Sequence, residues 1–545
     1  MTDMPISQQE NPLDDPGRAL TQQEIARAAI IVMASYVLSG VLGLVRQMVL
    51  ASAFGADREL DAFYAALRVP ETLLALIAGG ALGSAFIPVF SGFLGRDEFD
   101  DAWQLASTVM TLVTIVATIA AGIGLLLAPF LIGNLLLPGA DSDTQALAVE
   151  MMRVMLISVI IFGLSGLLMG ILNAYQHFVA PALAPSMYNL GIILGALFLV
   201  PSLGVHGLAW GVVIGAALHL VVQIPVASRL PFRRLRPSLR VNAPGVLEVM
   251  RLMGPRLLGL AVVQINFWVN IALASTMVEG SITALQTAYA LMFTVLGILG
   301  QSLGTAVFPT LSTQHAQGDH TGFQRTFGSA LRNVLFLSIP AGLGMAVLSV
   351  PIVGTLFERG EWTTADTQAT AWALVFYSIG LAGHAALEIL ARTFYALHDT
   401  WTPVRIGVGA MLLNILLSVV FVLLFDVLGA DSFRRGPFAG LALANSLATA
   451  LESAILWVIL RRRIPAMDTR PIIRTLVRTA LAGAGMVGIV LLWLLVADTW
   501  LVLFQLVGGI LVGAIAFWGL ALAMRIEAAQ SVPRQILSRF RRTSM

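Results

Sequence analysis

The chain has 545 residues, 58% hydrophobic and 11% charged, with a mean hydropathy of +0.87; an average soluble domain is about 45–50% apolar and about 25% charged, so this one reads as a polytopic membrane protein. Its formal net charge of +2 is too small for a nucleic-acid footprint. All 32 basic residues are arginine and there is no cysteine, which excludes a Walker A lysine, a Schiff-base lysine, thiolate catalysis, disulfides and Cys-ligated zinc.

Residues 1–25 are polar and lack the basic start, short apolar core and cleavage site of a signal peptide, so the first apolar segment is expected to be retained. A helix needs about 20 apolar residues to cross the hydrocarbon core. Segments of that kind fall near 26–50, 62–94, 102–133, 146–173, 180–200, 206–228, 247–276, 282–311, 325–356, 368–396, 403–427, 437–461, 473–497 and 499–525, which predicts fourteen transmembrane helices in an all-α fold. The second and eighth segments are long and interrupted by Gly or Pro, which predicts kinks.

The first two segments carry Arg46, Asp61, Arg68 and Glu71. A charge within hydrocarbon is costly, so these residues are expected to line a polar path or to pair with each other. Ser39, Gly43 and Arg46 fall at i, i+4 and i+7, on one helical face. Arg68 and Glu71, three apart, can pair on one turn. Segment seven opens with Arg251 and Arg256 and continues QINFWVN, which sets Asn266 and Asn270 on one face, where asparagines commonly bond to a neighbouring helix. On segment ten His384, Glu388 and Arg392 recur at i, i+4 and i+8. This polar stripe should face protein or water, as a salt-bridged face, a gate or a proton-linked switch. His384 and Glu388 lack two further ligands at suitable positions, so no metal site is expected. Trp362, Trp401 and Trp500 stand near segment ends and read as interfacial anchors; Glu358, Glu361 and Asp366 read as a solvated face.

Two internal matches imply a duplication. ALGSAFIPVFS (Ala81 to Ser91) returns 221 residues later as SLGTAVFPTLS, and AYQHFVAP (Ala174 to Pro181) returns 222 residues later as ALHDTWTP. The expected organisation is a tail over 1–25, an N-lobe of six helices over 26–228, a basic linker over 229–246, a C-lobe of six over 247–461, two further helices over 473–525 and a basic tail over 526–545. Six is even, so the lobes should share one orientation, as in parallel-repeat transporters with a site between the halves. The last two segments carry Gly-rich faces suited to close helix packing or to a lipid-facing groove. Arginine in the short loops collects at Arg96, in the linker (Arg229, Arg233, Arg234, Arg236 and Arg240), at Arg461 to Arg463, Arg470 and Arg474 and in the C-terminal tail, which predicts cytoplasmic termini in a cell membrane.

The stretches LGLVRQMVLASAFGADRELDAFYAALRVPE, GALGSAFIPVFS, ILNAYQHFVAPALAPSMYN, MGPRLLGL, LGTAVFPTLS, LFERGEWTTADT and RTFYALHDTWTPVR follow one another from segment one to segment eleven. Together they resemble the MurJ/MviN family of lipid II flippases, within the multidrug/oligosaccharidyl-lipid/polysaccharide exporter superfamily. The resemblance implies two six-helix lobes, a central cationic cavity, and a groove beside the last two helices for a polyprenyl tail. It implies transfer of undecaprenyl-pyrophosphate-linked peptidoglycan precursor from the inner to the outer leaflet by alternating access, for cell-wall biosynthesis. Arg46 and Asp61 match family positions. Other family arginines are replaced, at Gly40, near Leu74 or Ala75, and at Tyr289 or Ala290, and Arg256 is a candidate to restore positive charge. The expected cavity set is Ser39, Arg46, Asp61, Arg68, Glu71 and Arg256, because an arginine fork stays ionised and matches phosphate oxygens.

No cofactor is expected. With no ATP site, the membrane potential, worth about 2.3 kcal/mol per charge per 100 mV, is the expected energy source, with Na+ or H+ coupling as variants. The expected partners are the lipid substrate and membrane lipids, with no nucleic acid, in a monomer. A membrane enzyme would gather carboxylates or a His/Arg cluster in an outer loop, whereas the loops here are short. The alternatives are a flippase for another polyprenyl-linked oligosaccharide and a drug or cation exporter of the same superfamily; the exporter would want an acidic interior, and this one leans basic.

Overall fold

Inside hydrocarbon every backbone N–H and C=O must be satisfied within the protein, so a long apolar segment resolves itself as a helix. The computed structural model describes residues 22–77, 81–231, 235–429, 432–464 and 468–529, with side chains except at 22–30, 81–84, 254–256, 258, 259 and 262. Among the described residues every regular element is helical. In chain order these are α1 (Gln22–Phe54), α2 (Arg58–Ile77), α3 (Ala81–Leu94), α4 (Phe99–Phe130), α5 (Ser142–Ala174), α6 (Val179–Leu194), α7 (Val200–Leu203), α8 (His206–Val221), α9 (Ile224–Ala227) and α10 (Val246–Ala274). They continue as α11 (Ser281–Leu296), α12 (Ser302–Ala316), α13 (His320–Val347), α14 (Ser349–Phe357), α15 (Thr364–Ala396), α16 (Trp401–Val427), α17 (Ala439–Arg463), α18 (Arg470–Val496) and α19 (Val502–Ala523).

Among the described residues twelve helices are long and apolar enough to cross a membrane, and shorter apolar helices cover Ala85–Leu94 and Val263–Ala274. Large apolar side chains stand outward, among them Leu126 (76% exposed), Leu495 (75%) and Ile515 (73%). A continuous surface of this kind has lipid rather than water as its solvent. The chain is a multi-pass membrane protein. The kink expected in segment eight is a π-helical turn, Gly297–Gln301, joining α11 to α12; the break expected in segment two falls at 78–80, outside the described residues.

The chain forms two compact units, Met1–Ala53 with Arg58–Ala272, and Phe54–Asp57 with Leu273–Met545. In the first, Phe86, Phe90, Trp103 and Tyr175 form one aromatic cluster. Nearby, α6 and the turn that follows it touch α8 backbone to backbone, Gly191 against Gly215 and Gly195 against Gly211; a Cβ added at Gly191 would lie 2.2 Å from Gly215 Cα. The basic linker is tied down from its middle onward. The N–H of Arg236 donates to Ser107 Oγ (3.2 Å), the N–H of Ser238 to Thr111 Oγ1 (3.0 Å), and Thr108 Oγ1 to Ser238 Oγ (3.1 Å). In the second unit α15 is the central element, packed against α11, α13 and α17, with Gly380 set directly on Ser446. Phe336, Met486, Val490, Phe517 and Ala521 bind α18 and α19 to α13.

Element boundaries recur at the spacing of the sequence matches. Helices α5 and α15 both have 33 residues, and Ser142 to Thr364 and Ala174 to Ala396 both step 222 positions. Asp141 caps the first by accepting from Thr144 N–H, and Thr363 caps the second by accepting from Asp366 N–H. Each helix is followed by a residue with left-handed backbone, Gln176 (φ 61°) and His398 (φ 58°).

Two surface expectations are corrected here. Trp362 is no interfacial anchor: it is 3% exposed, stacks near Phe357 and donates to Thr367 Oγ1 (3.2 Å). Asp366 is no solvated residue: it is buried and closes the capping box of α15 by accepting from the Thr363 N–H (2.7 Å), since the first turn of a helix has N–H groups that need acceptors. Trp401 and Trp500 are exposed, as anchors are.

Candidate functional site

The first polar cluster is built on α2. A period of 3.6 residues brings Asp61, Tyr64, Arg68 and Glu71 to one face of that helix, and that face meets α1 and α10. The Tyr64 hydroxyl donates to Gln47 Oε1 (2.6 Å), tying α2 to α1. Tyr64 is the hub: Arg46, Asp61 and Glu71 all lie within electrostatic reach of it. Arg46 also acts on Tyr188 of α6. Asp61 is buried.

Arg68 is held on three sides. Its Nη1 lies 3.0 Å from Glu71 Oε2, its Cζ is 4.8 Å from the ring centroid of Phe267 on α10, and its backbone carbonyl accepts from Thr72 Oγ1 (2.7 Å). Thr72 in turn accepts from the Trp268 indole N–H (2.9 Å). The guanidinium is therefore neutralised within the unit, and its buried Nε finds no partner among the described residues. Asn270 Nδ2 donates to Asn266 Oδ1 (3.3 Å), so among the described residues this pair bonds along α10 rather than to a neighbouring helix.

Ser39 acts through its backbone, whose carbonyl accepts from Asn189 Nδ2 (3.2 Å). Gly43, one turn on, leaves room for the same amide. Arg46 is partly exposed and makes no ion pair or hydrogen bond among the described residues, which leaves its fork open to an anion. The side chain of Arg256 lies outside the described residues.

The second cluster lies in the other unit, on α15. Arg392 pairs with the Glu388 carboxylate, donates to the Glu388 carbonyl (3.0 Å), and reaches Thr305 Oγ1 on α12 (3.4 Å). Gly304 provides the space the guanidinium occupies. His384 Nε2 lies 3.0 Å from Asn445 Oδ1 on α17. The stripe thus divides into an ion pair within α15 and a histidine bonded across helices. Seven residues after Asn445, on the same face of α17, stands Glu452, whose Oε1 would lie 3.2 Å from a Cβ at Gly407. Among the described residues no His, Asp and Glu gather in threes that could hold a metal.

Sequence reasoning missed Tyr64, Thr72, Phe267, Trp268, Asn445 and Glu452. Spacing could have found some of them. Tyr64 follows Asp61 by three, and Glu452 is a lone carboxylate in the apolar run SLATALESAIL, which by itself marks a functional candidate. Trp268 and Phe267 carried no such signal, because their partners are on another helix.

The family described as lipid II flippase MurJ matches residues 50–511. The chain is 33% identical over 444 residues to the lipid II flippase MurJ of Burkholderia cenocepacia, spanning 80% of this chain and 84% of that one. It is 34% identical over 492 residues to the probable lipid II flippase MurJ of Vibrio cholerae serotype O1, spanning 88% and 91%. A solved lipid II flippase MurJ in an inward closed conformation superposes with a TM-score of 0.76 at 26% identity, over 91% of this chain and 99% of the other. A multidrug resistance MATE family transporter of the MOP superfamily shares the fold, with a TM-score of 0.66 at 15% identity, over 81% of this chain and 99% of that one. With its apolar helices, its charged clusters inside them and a family match along nearly the whole described length, the chain belongs to the lipid II flippase MurJ family.

Proposed function

We propose that this protein moves lipid II, the undecaprenyl-pyrophosphate-linked peptidoglycan precursor, from the inner to the outer leaflet of the bacterial inner membrane. One observation carries the reading furthest. The polar faces of α2 and α10 meet, with Arg68 over Phe267 and the Trp268 indole on Thr72. Polar and charged groups gathered inside apolar helices mark the wall of a wet path. With the segments of α2–α3 and of α10 read as crossing the membrane beside the twelve spans, the count is fourteen. The recurring boundaries of α5 and α15 support two like-oriented six-helix lobes with α18 and α19 outside the repeat.

The physical problem is a hydrophilic saccharide-peptide head that cannot enter hydrocarbon, on a tail that can stay there. In this reading Arg46, with Arg256, takes the phosphate charge, Ser39 and Asp61 flank it, and the Arg68–Glu71 pair keeps the wall polar without adding net charge. His384 with Asn445, and Glu388 with Arg392, serve as a gate that rearranges as access alternates. The arginine-rich loops put both termini in the cytoplasm, the membrane potential supplies the energy, and the monomer is the working unit.

The test is reconstitution of the purified chain into vesicles holding lipid II, with a membrane-impermeant reagent reporting its arrival at the opposite leaflet. Transfer faster than in protein-free vesicles is expected, with a loss of tenfold or more in Arg46→Ala. Equal rates with and without protein would end the reading. Transfer of a different polyprenyl-linked oligosaccharide in place of lipid II would change the substrate.

A further inference from the structure

The second unit holds a cavity of about 540 Å3 that belongs to neither charged cluster. Its walls are Ser349 at the start of α14, Gln368 and Trp372 in the first turns of α15, and Ser432, Arg434 and Arg435 at the 3-10 turn before α17. Trp372 precedes His384 by twelve residues, about 18 Å along the helix at 1.5 Å per residue. We infer that this cavity binds the phosphate of a lipid head group.

Four features point to that ligand. Arg434 and Arg435 both line the cavity, and both are exposed and in no ion pair among the described residues. Such a pair of forks matches the oxygens of a phosphate. Second, among the described residues no carboxylate lines the cavity, while Ser349, Gln368 and Ser432 add uncharged hydrogen-bonding groups. Third, the indole N–H of Trp372 is buried without an acceptor, an expensive state for a polar group unless a ligand supplies one. Fourth, one wall is apolar: Val350, Ala371, Val375 and the Trp372 ring line it. Free phosphate would use only the polar half of this site, whereas an amphiphile uses both halves, as interfacial tryptophans do.

The arginines are set in place from behind. Phe433, the residue before them, packs against Gly280, where a Cβ would come within 2.9 Å of the ring. Gly280 also has φ +85°, so no other residue fits that position without strain.

The experiment uses the full chain, purified in neutral detergent and stripped of lipid, with native mass spectrometry reading retained lipid. The probes are phosphatidylglycerol, diacylglycerol as its phosphate-free counterpart, and inorganic phosphate. One phosphatidylglycerol retained per chain is expected, with no retained diacylglycerol and about a tenfold loss of phosphatidylglycerol in Arg434→Gln/Arg435→Gln. The lipid-free unfolding temperature of that variant should equal the parent's, and phosphatidylglycerol should raise it only in the parent. If the double variant fails to fold, Arg434→Gln and Arg435→Gln alone carry the test, each with a loss of about threefold. Equal phosphatidylglycerol retention in parent and variants overturns the lipid assignment. A rise in unfolding temperature with inorganic phosphate that needs both arginines would then make the ligand a soluble anion; no response to either probe would remove the site altogether. None of these outcomes depends on which lipid the protein transports.

Discussion

Arg68 shows what a charge needs in order to persist among apolar helices: a carboxylate at 3.0 Å, an aromatic ring at 4.8 Å, and little water. Removing it strands Glu71, whose side chain is 36% exposed. Arg68→Ala should therefore cost about 2–3 kcal/mol, less than a fully buried broken pair would. Arg68→Ala/Glu71→Gln should recover roughly 1 kcal/mol of that, because the stranded charge is gone. Unfolding midpoints of the two variants in detergent decide this; a double variant no more stable than the single one would show that the pair is not coupled.

Asp399, in the turn between α15 and α16, gives a prediction in pH. Burial raises its carboxyl, but hydrogen bonds from the Thr402 hydroxyl (2.5 Å) and N–H (2.9 Å), and the ion pair with Arg463, outweigh burial and hold it at about 2 against an ordinary 3.8. A depressed folded value stabilises most above the unfolded one and is lost as pH falls through the folded one. The Asp399 contribution should therefore be complete above about pH 4 and vanish toward about pH 2. Thermal midpoints should fall more steeply across that window in the parent than in Asp399→Asn; parallel curves would show that the turn contributes nothing.

At the scale of elements, α6 and α8 approach so closely that only glycine fits. Gly191→Ala sets a methyl 2.2 Å from Gly215 Cα, and the helices must part, at a cost of roughly 2 kcal/mol. Gly488 on α18 meets nothing within 4 Å. There the same change should be neutral or stabilise by up to about 1 kcal/mol, since alanine is the better helix former. Comparing the two unfolding midpoints separates close packing from helix propensity; equal effects would mean that the α6–α8 contact is not tight. Helix existence was legible from apolar run length, and so were the C-terminal ends of α5 and α15, expected at 173 and 396 and found at Ala174 and Ala396. The π-helical turn at Gly297–Gln301 was legible only as an interruption, because a local change of hydrogen-bond register leaves no residue pattern beyond its glycines.

At the scale of the whole molecule, a chain with no lysine for a Walker A loop makes the membrane potential the energy source to test. About 100 mV acting on one charge changes an equilibrium by roughly fiftyfold. Collapsing the potential with valinomycin and potassium should therefore slow lipid II transfer in vesicles by tenfold or more, with sodium held equal on both sides. Unchanged transfer after that collapse, together with arrest on removing sodium, would assign the coupling to the ion instead.

Sequence by itself determined the solvent of this protein, its helical class, the duplicated segments and the places where charge enters the apolar helices, because run length, period and the cost of ions in hydrocarbon are all local to the chain. It named Arg46, Asp61, Arg68 and Glu71 for that reason. The tertiary structure alone decided which of those charges are spent within the protein. Arg68 is paired with Glu71 and covered by Phe267, and Arg392 is paired with Glu388, while Arg46 has no ion pair among the described residues, and Trp362 and Asp366 turn inward from an apparently exposed loop. Pairing of this kind depends on which helix faces which, and residues nearly two hundred positions apart, such as Thr72 and Trp268, carry no mark of each other until the chain has folded.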